Sequence, residues 1–216
     1  PAGETPVAAQ GLRVQAFASG LNHPRWLYRL PNGDILVAET NAPPKPPEKN
    51  EGIKGFFQTL VMKKAGAVTP SPNRLILLRD ADGDGVAEVK TDFLTGLMSP
   101  FGMALVGDRL YIASADAVVS VPYQTGQTSI TATPTKLADL PAGRNHHWTK
   151  SLVASPDGSR LYVGVGSNSN VADFGMAEEV NRAAILEIDR MTGATRVYAS
   201  GLRNPVGLAW NPESGM

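Results

Sequence analysis

The chain has 216 residues, with Lys plus Arg and Asp plus Glu balanced at 20 each, so it lacks the basic surplus that nucleic acid or an anionic membrane selects. Cysteine is absent, which excludes disulfides, thiolate metal centres and cysteine nucleophiles, and no stretch reaches the roughly 20 apolar residues that span a bilayer. A hydrophobic content of 42% with 22 Gly and 17 Pro points to a folded, turn-rich β protein with a substantial core.

The chain opens on Pro1, read as a processed or trimmed start left by removal of a secretory leader or by a cloning boundary. Residues 1–10 are a polar, extended lead-in, and residues 12–18 alternate apolar and polar as a half-buried strand does. Gly20-Leu21-Asn22-His23-Pro24 follows, then a hairpin in which residues 26–30 and 35–39 flank the turn Pro31-Asn32-Gly33-Asp34.

Between residues 40 and 73 the pattern breaks. Asn41-Ala42-Pro43-Pro44-Lys45-Pro46-Pro47 is restricted to extended or polyproline conformations, and residues 52–64 carry apolar side chains at helical spacing. The reading is an insertion at 41–73 with one short helix, either a lid at the rim of a binding site or a decoration packed on the sheet beneath.

Strand character resumes at residues 74–79, and the next stretch is acidic: Asp80, Asp82 and Asp84 at loop positions one, three and five, with Gly85 at six. This matches the first half of an EF-hand-type calcium loop, in which carboxylates surround a hard cation and glycine permits the sharp turn. Thr91 stands where the bidentate glutamate belongs, and Glu88 at position nine is the available substitute. With strands on both sides, the expectation is a calcium-clipped hairpin or a metal-free Asp/Gly turn.

Gly96-Leu97-Met98-Ser99-Pro100 repeats the earlier cassette and leads to strands at 109–113 and 117–122, with a Thr-rich strand candidate at 129–140. A third copy starts at Gly143 and has His147 where the others have proline; strand residues 161–166 follow. Residues 168–182 read as an irregular loop with a helical turn at 177–180, and residues 183–189 and 194–199 as a hairpin around Arg190-Met191-Thr192-Gly193. A fourth copy, Gly201-Leu202-Arg203-Asn204-Pro205, enters Leu208-Ala209-Trp210.

Short-strand units recurring at intervals of tens of residues imply a propeller or solenoid, and a propeller is favoured. Four strands per blade and four to eight blades are the norm; this chain supplies three blades and the start of another. An open arc exposes strand edges, so residues 1–216 read as the N-terminal part of one all-β propeller domain, with the remaining blades in residues beyond these or in a companion chain.

In a propeller, the loop entering each innermost strand opens at one end of the channel, so equivalent repeat positions converge there. The converging groups are Asn22-His23-Pro24, Met98-Ser99-Pro100, Asn145-His146-His147 and Arg203-Asn204-Pro205. An imidazole able to act as a base near neutral pH, a guanidinium suited to carboxylates or a polarised carbonyl, and several amides fit a polar anionic or hydroxylated ligand.

The elements around His147, Ser155-Pro156-Asp157-Gly158, residues 161–166 and Gly201-Leu202-Arg203-Asn204-Pro205 resemble the soluble pyrroloquinoline quinone (PQQ)-dependent sugar and aldose dehydrogenases. Residues 20–39, the helical insertion and the Asp-Gly-Asp-Gly hairpin are most similar to the L-sorbosone dehydrogenase branch. The resemblance implies a six-bladed propeller of which this chain supplies about half, with PQQ over the axis and calcium bridging cofactor and protein. It implies oxidation of a sugar aldehyde or aldose in the periplasm or outside the cell, with an external electron acceptor. By position, His147 takes the hydroxyl proton, Arg203 stabilises the oxyanion on the quinone, Asn204 hydrogen-bonds the cofactor, and the ligands of the catalytic calcium fall after Met216. Two departures stand out: Ser167 replaces the acid common after the Val-Gly strand, and Val206 the glutamine after Arg-Asn-Pro. Two other classes remain open from the residues alone, a calcium-dependent lactonase-like propeller hydrolase and a non-catalytic propeller binding module.

Overall fold

The structure, a computed structural model, describes residues 6–44 and 69–211. The expected helix at 52–64 therefore lies outside the described residues. Among the described residues, twelve strands form three four-stranded antiparallel sheets, each a meander in chain order. Blade 1 comprises β1 (Pro24–Arg29), β2 (Ile35–Glu39), β3 (Arg74–Arg79) and β4 (Val89–Leu94). Blade 2 comprises β5 (Met103–Val106), β6 (Arg109–Ala113), β7 (Ala117–Pro122) and β8 (Thr135–Asp139), and blade 3 comprises β9 (Leu152–Ala154), β10 (Arg160–Val165), β11 (Ala184–Asp189) and β12 (Thr195–Ala199). Radially arranged sheets of this kind are the units of a β-propeller.

The blades stack face to face through apolar layers. Leu36, Leu75, Leu77 and Phe93 of blade 1 pack with Met103, Leu110, Ile112 and Val121 of blade 2. Tyr111 and Val118 of blade 2 then meet Leu161, Val163, Leu186 and Ile188 of blade 3. In β3, Leu75 and Leu77 face blade 2 while Ile76 and Leu78 are covered by Phe17, Ala18 and Leu21, which is why it reads as a continuous Leu-Ile-Leu-Leu run and not as a strict alternation. The Tyr28 hydroxyl accepts the Leu105 N–H at 2.9 Å between blades 1 and 2. Blades 2 and 3 approach more closely still: Gly102 N donates to the Lys150 carbonyl at 2.9 Å, and a Cβ at Gly102 would overlap the backbone of Lys150 and Leu152.

Three segments differ from the sequence reading. Residues 12–18 form no ladder; instead Phe17, Ala18 and Leu21 pack against Val37, Ile76 and Leu78 on the outer face of blade 1, with the Phe17 carbonyl accepting the Ala87 N–H at 2.8 Å. The alternating apolar residues Leu12 and Val14 are exposed, and only Phe17 and Ala18 are half-buried, so the expected half-buried strand is absent. The Thr-rich stretch 129–140 is a strand only over Thr135–Asp139. The turn expected at 177–180 is a short 3-10 helix at Met176–Glu179.

Candidate functional site

In each meander the chain enters the first strand and crosses from the second strand to the third at the same end of the blade. The cassettes before β1, β5 and β9, the β2–β3 connection and the β10–β11 loop therefore share one mouth. The turns β1–β2 and β3–β4 lie at the opposite end. The insertion leaves and rejoins blade 1 at the mouth, where Asn41 N–H meets Ser71 Oγ at 2.9 Å, Asn41 Nδ2 meets the Thr69 carbonyl at 2.8 Å, and Thr40 N–H meets the His23 carbonyl at 3.0 Å.

The cassettes share a left-handed backbone pattern. Gly20, Gly96, Gly143 and Gly201 all have positive φ, from 66° to 84°, a conformation that favours glycine. Left-handed φ recurs at His23 (50°), Ser99 (45°) and Asn145 (46°). The third copy is one residue shorter between its glycine and this position, so Asn145, not His146, is equivalent to His23 and Ser99. His146, not His147, then falls at the proline place, and His147 lies one residue further along the strand entry.

His147 is half-buried and tied to the end of β10. Its Nδ1 is 2.8 Å from the Ser167 carbonyl oxygen and 3.0 Å from Ser167 Oγ, while its backbone N–H points to the same carbonyl at 3.4 Å. A carbonyl can only accept, so Nδ1 carries the proton. The single hydroxyl hydrogen of Ser167 goes to the Ser169 carbonyl at 2.6 Å, so Oγ also acts as an acceptor toward Nδ1. The neutral ring therefore has its lone pair on Nε2, the form required of a general base.

Gly166 brings the other candidates alongside. A Cβ there would overlap both His147 Cβ and Asn204 Oδ1, so these side chains flank one glycine. Ser167 N donates to the Arg203 carbonyl at 2.8 Å, and Ser151 Oγ to the Pro205 carbonyl at 3.2 Å, which fix Arg-Asn-Pro against β10. Asn204 Oδ1 is buried with no hydrogen-bond partner, an unmet acceptor of the kind that a ligand or water satisfies. Arg203 is exposed and donates through Nη2 to Asn170 Oδ1. A cleft of about 470 Å³ opens beside Ser167, Asn170 and Arg203, with Ser169, Glu179 and Arg182 also in its lining; His147 and Asn204 do not line it. The side chains of His147 and Asn204 thus flank Gly166 and the Arg203 backbone joins them at Ser167, while the Arg203 guanidinium turns to Asn170. Sequence reasoning missed Asn170 and Ser169, which sit in a loop without periodicity.

His146 is exposed, with its ring edge-on to His147 at 4.9 Å. Trp26, Phe101 and Trp148 make a relay of ring contacts across the three blades, at 4.9 Å and 6.1 Å, as packing aromatics.

The acidic loop lies between β3 and β4, at the end opposite His147. One carboxylate oxygen from each of Asp80, Asp82, Asp84 and Glu88 lies within 4.8 Å of the others. The carboxylates also order the turn, accepting from Gly83 N at 2.7 Å and Gly85 N at 2.9 Å on Asp80, and from Ala81 N at 2.7 Å on Glu88. A second cleft, of about 540 Å³, lies at this end beside the bidentate pair of Arg79 with buried Asp34, whose carboxyl the guanidinium holds below its usual range. It contains none of the mouth residues. Among the described residues no helix is long and apolar enough to cross a membrane.

A family model described as TrAA12-like matches residues 73–216. No curated protein matches the chain. Among solved structures, the chain is similar to the holo form of the pyranose dehydrogenase PQQ domain from Coprinopsis cinerea, at 21% identity and a TM-score of 0.68 over 94% of this chain and 44% of that one. It is similar to the calcium structure of the Trichoderma reesei Carbohydrate-Active Enzymes Family AA12 protein, at 20% identity and 0.68 over 97% and 48%. A third is the PQQ-bound aldose sugar dehydrogenase from Streptomyces coelicolor, at 20% identity and 0.57 over 93% and 57%. The chain spans about half the length of these structures, and at such identities the likeness is one of fold.

Proposed function

This chain belongs to the TrAA12-like family, and on that premise we propose that it is part of a PQQ-dependent dehydrogenase that oxidises a sugar aldehyde or aldose, L-sorbosone-like, with His147 as the base. The observation that supports the reading is the tie between His147 Nδ1 and Ser167, which leaves Nε2 as the acceptor, with the Asn204 side chain across Gly166 from the His147 Cβ. Similar structures include a PQQ domain and a PQQ-bound aldose sugar dehydrogenase.

The residues present fit the cofactor. Arg203 offers a planar fork of donors suited to carboxylate and quinone oxygens, and the unmet Asn204 acceptor marks a polar position awaiting a partner. Bound PQQ supplies the two-electron hydride acceptor that no side chain provides. The chain's own contribution is to orient the donor sugar and remove its hydroxyl proton onto His147 Nε2. As the ring becomes an imidazolium, its Nδ1–H stays on the Ser167 oxygens, so proton uptake requires no reorientation. The guanidinium of Arg203 stabilises negative charge that develops in the cleft.

Calcium is proposed at Asp80, Asp82, Asp84 and Glu88 as a clip on the β3–β4 hairpin, remote from the proton-transfer end. The electron acceptor is an external one, and a periplasmic or secreted location follows from the family resemblance.

The test is reconstitution of the full-length protein with PQQ and calcium, followed by dye reduction with aldoses and sorbosone. Cofactor-dependent reduction is expected. Failure to retain PQQ absorbance together with no reduction overturns the proposal.

A further inference from the structure

Residues 140–151 carry His147 with no strand or helix of their own. A buried side-chain knot holds them. The Lys150 ammonium, wholly buried, donates to Asn145 Oδ1 at 2.9 Å and to the Trp148 carbonyl at 3.2 Å. These two acceptors bracket His146 and His147 in sequence, so the lysine turns back and staples the loop across the histidines.

Asn145 is buried as well, in the left-handed conformation that asparagine tolerates better than most residues. Its Nδ2 donates to the Ala115 carbonyl of blade 2 at 3.0 Å, and its Oδ1 takes a second bond from Arg182 Nη1 at 3.1 Å. Arg182 Nη2 reaches the Ala142 carbonyl at 2.6 Å. One amide oxygen therefore serves two cations; among the described residues the hydrogen bonds of Lys150 and Arg182 go to neutral oxygens, and Arg182 alone has carboxylates nearby, those of Glu179 and Glu178. Burial, with the Arg182 charge beside it, lowers the Lys150 ammonium to about 7. A buried cation without a carboxylate is unfavourable for folding, and a methionine of similar length would fill the space without that cost. Packing alone does not account for a lysine here, whereas a clasp on the loop does.

We propose that Lys150 is a positioning residue for the reaction at His147, acting with Arg182 through Asn145 to hold the histidine loop so that Nδ1 stays on Ser167 and Nε2 remains the base. The inference rests on the reading of His147 as that base. Asn145 ties the loop to blade 2 and Arg182 ties it to the end of the β10–β11 loop. The knot thus joins two blades behind the catalytic histidine.

The test compares Lys150→Met and Asn145→Gly in the full-length protein, with turnover normalised to bound PQQ. Asn145→Gly keeps the left-handed backbone and removes only the shared amide, so it carries the test if Lys150→Met does not fold. The expected result is a kcat per loaded site lower by between about ten- and a hundredfold, with sugar KM and PQQ occupancy little changed. In the cofactor-free proteins, 15N resonances of the His147 ring should change from a single Nδ1-protonated tautomer to a mixture. Unchanged kcat per site and an unchanged tautomer in both variants would overturn the role. His147→Ala separates the two claims: if it keeps turnover, the base assignment falls and takes the positioning role with it. If His147→Ala is inactive while Lys150→Met and Asn145→Gly turn over normally, the positioning role alone falls.

Discussion

His147 Nδ1 and the Ser167 carbonyl oxygen stand 2.8 Å apart, and the Ser167 hydroxyl adds a second acceptor at 3.0 Å. One residue at the end of β10 thus sets both the tautomer and the orientation of the ring. The position that carries an acid in many proteins the sequence resembles is occupied by a neutral group that performs the orienting part of the task. What it omits is a negative charge to favour the imidazolium.

Ser167→Asp supplies that charge. A carboxylate beside Nδ1 favours the protonated ring, so the acid limb of the kcat/KM–pH profile should move to higher pH by about one unit. Ser167→Ala keeps the carbonyl acceptor and should change kcat by less than about fivefold. Steady-state kinetics from pH 5 to 9 check both; an unmoved acid limb in Ser167→Asp would break the assigned contact.

Gly166→Ala should separate the mouth residues, because its methyl overlaps His147 Cβ and Asn204 Oδ1. We expect a loss of stability of about 1–3 kcal/mol from overpacking, and a kcat reduced by about a hundredfold through displacement of the histidine. Gly207→Ala, where an added Cβ meets nothing within 4 Å, is the control and should leave both nearly unchanged. Thermal melts and turnover on the pair decide this.

Lys150 gives the fold a pH signature. Burial and the neighbouring Arg182 charge lower its folded-state pKa from the usual lysine value of 10.5 to about 7. Between these values the unfolded chain holds a proton that the folded chain has released, so stability rises as pH increases from about 7 toward 10.5 and is lost as pH falls back. The span is on the order of a few kcal/mol. Urea midpoints across this window should rise in the parent protein and rise less in Lys150→Met; parallel slopes would contradict the burial of a titrating lysine.

The acidic loop should bind calcium without touching catalysis. Millimolar calcium should raise the melting temperature by several degrees through linkage, and Asp80→Asn should reduce the shift, since Asp80 both offers a ligand and orders the turn. Turnover at the mouth should persist in Asp80→Asn at a temperature where it is folded. Calorimetric titration showing no calcium binding would leave the loop as a self-capped turn.

The hairpins were legible because their information is local: Asn32-Gly33 and Thr192-Gly193 turns set between apolar runs specify register over a few residues. The propeller was legible because its cassette repeats. Residues 12–18 misled, since a short apolar–polar alternation does not fix burial: Leu12 and Val14 face solvent and only Phe17 and Ala18 are half-buried. The repeat pointed to the entry cassettes, and His147 and Asn204 do flank Gly166, but the one-residue shift in the third copy was not legible, because it is set by the left-handed backbone at Asn145. Lys150 was invisible for a related reason. A lone lysine before an apolar strand reads as solvated, and only the packing of blade 2 against blade 3 buries it.

The central claim is that His147 is the base of a PQQ-dependent sugar oxidation. The most direct measurement is turnover per bound PQQ in the full-length protein and in His147→Gln, with cofactor content determined by absorbance. The account predicts equal PQQ content and a kcat reduced by between about a hundred- and ten-thousandfold in the variant. Equal turnover at equal PQQ content would contradict it.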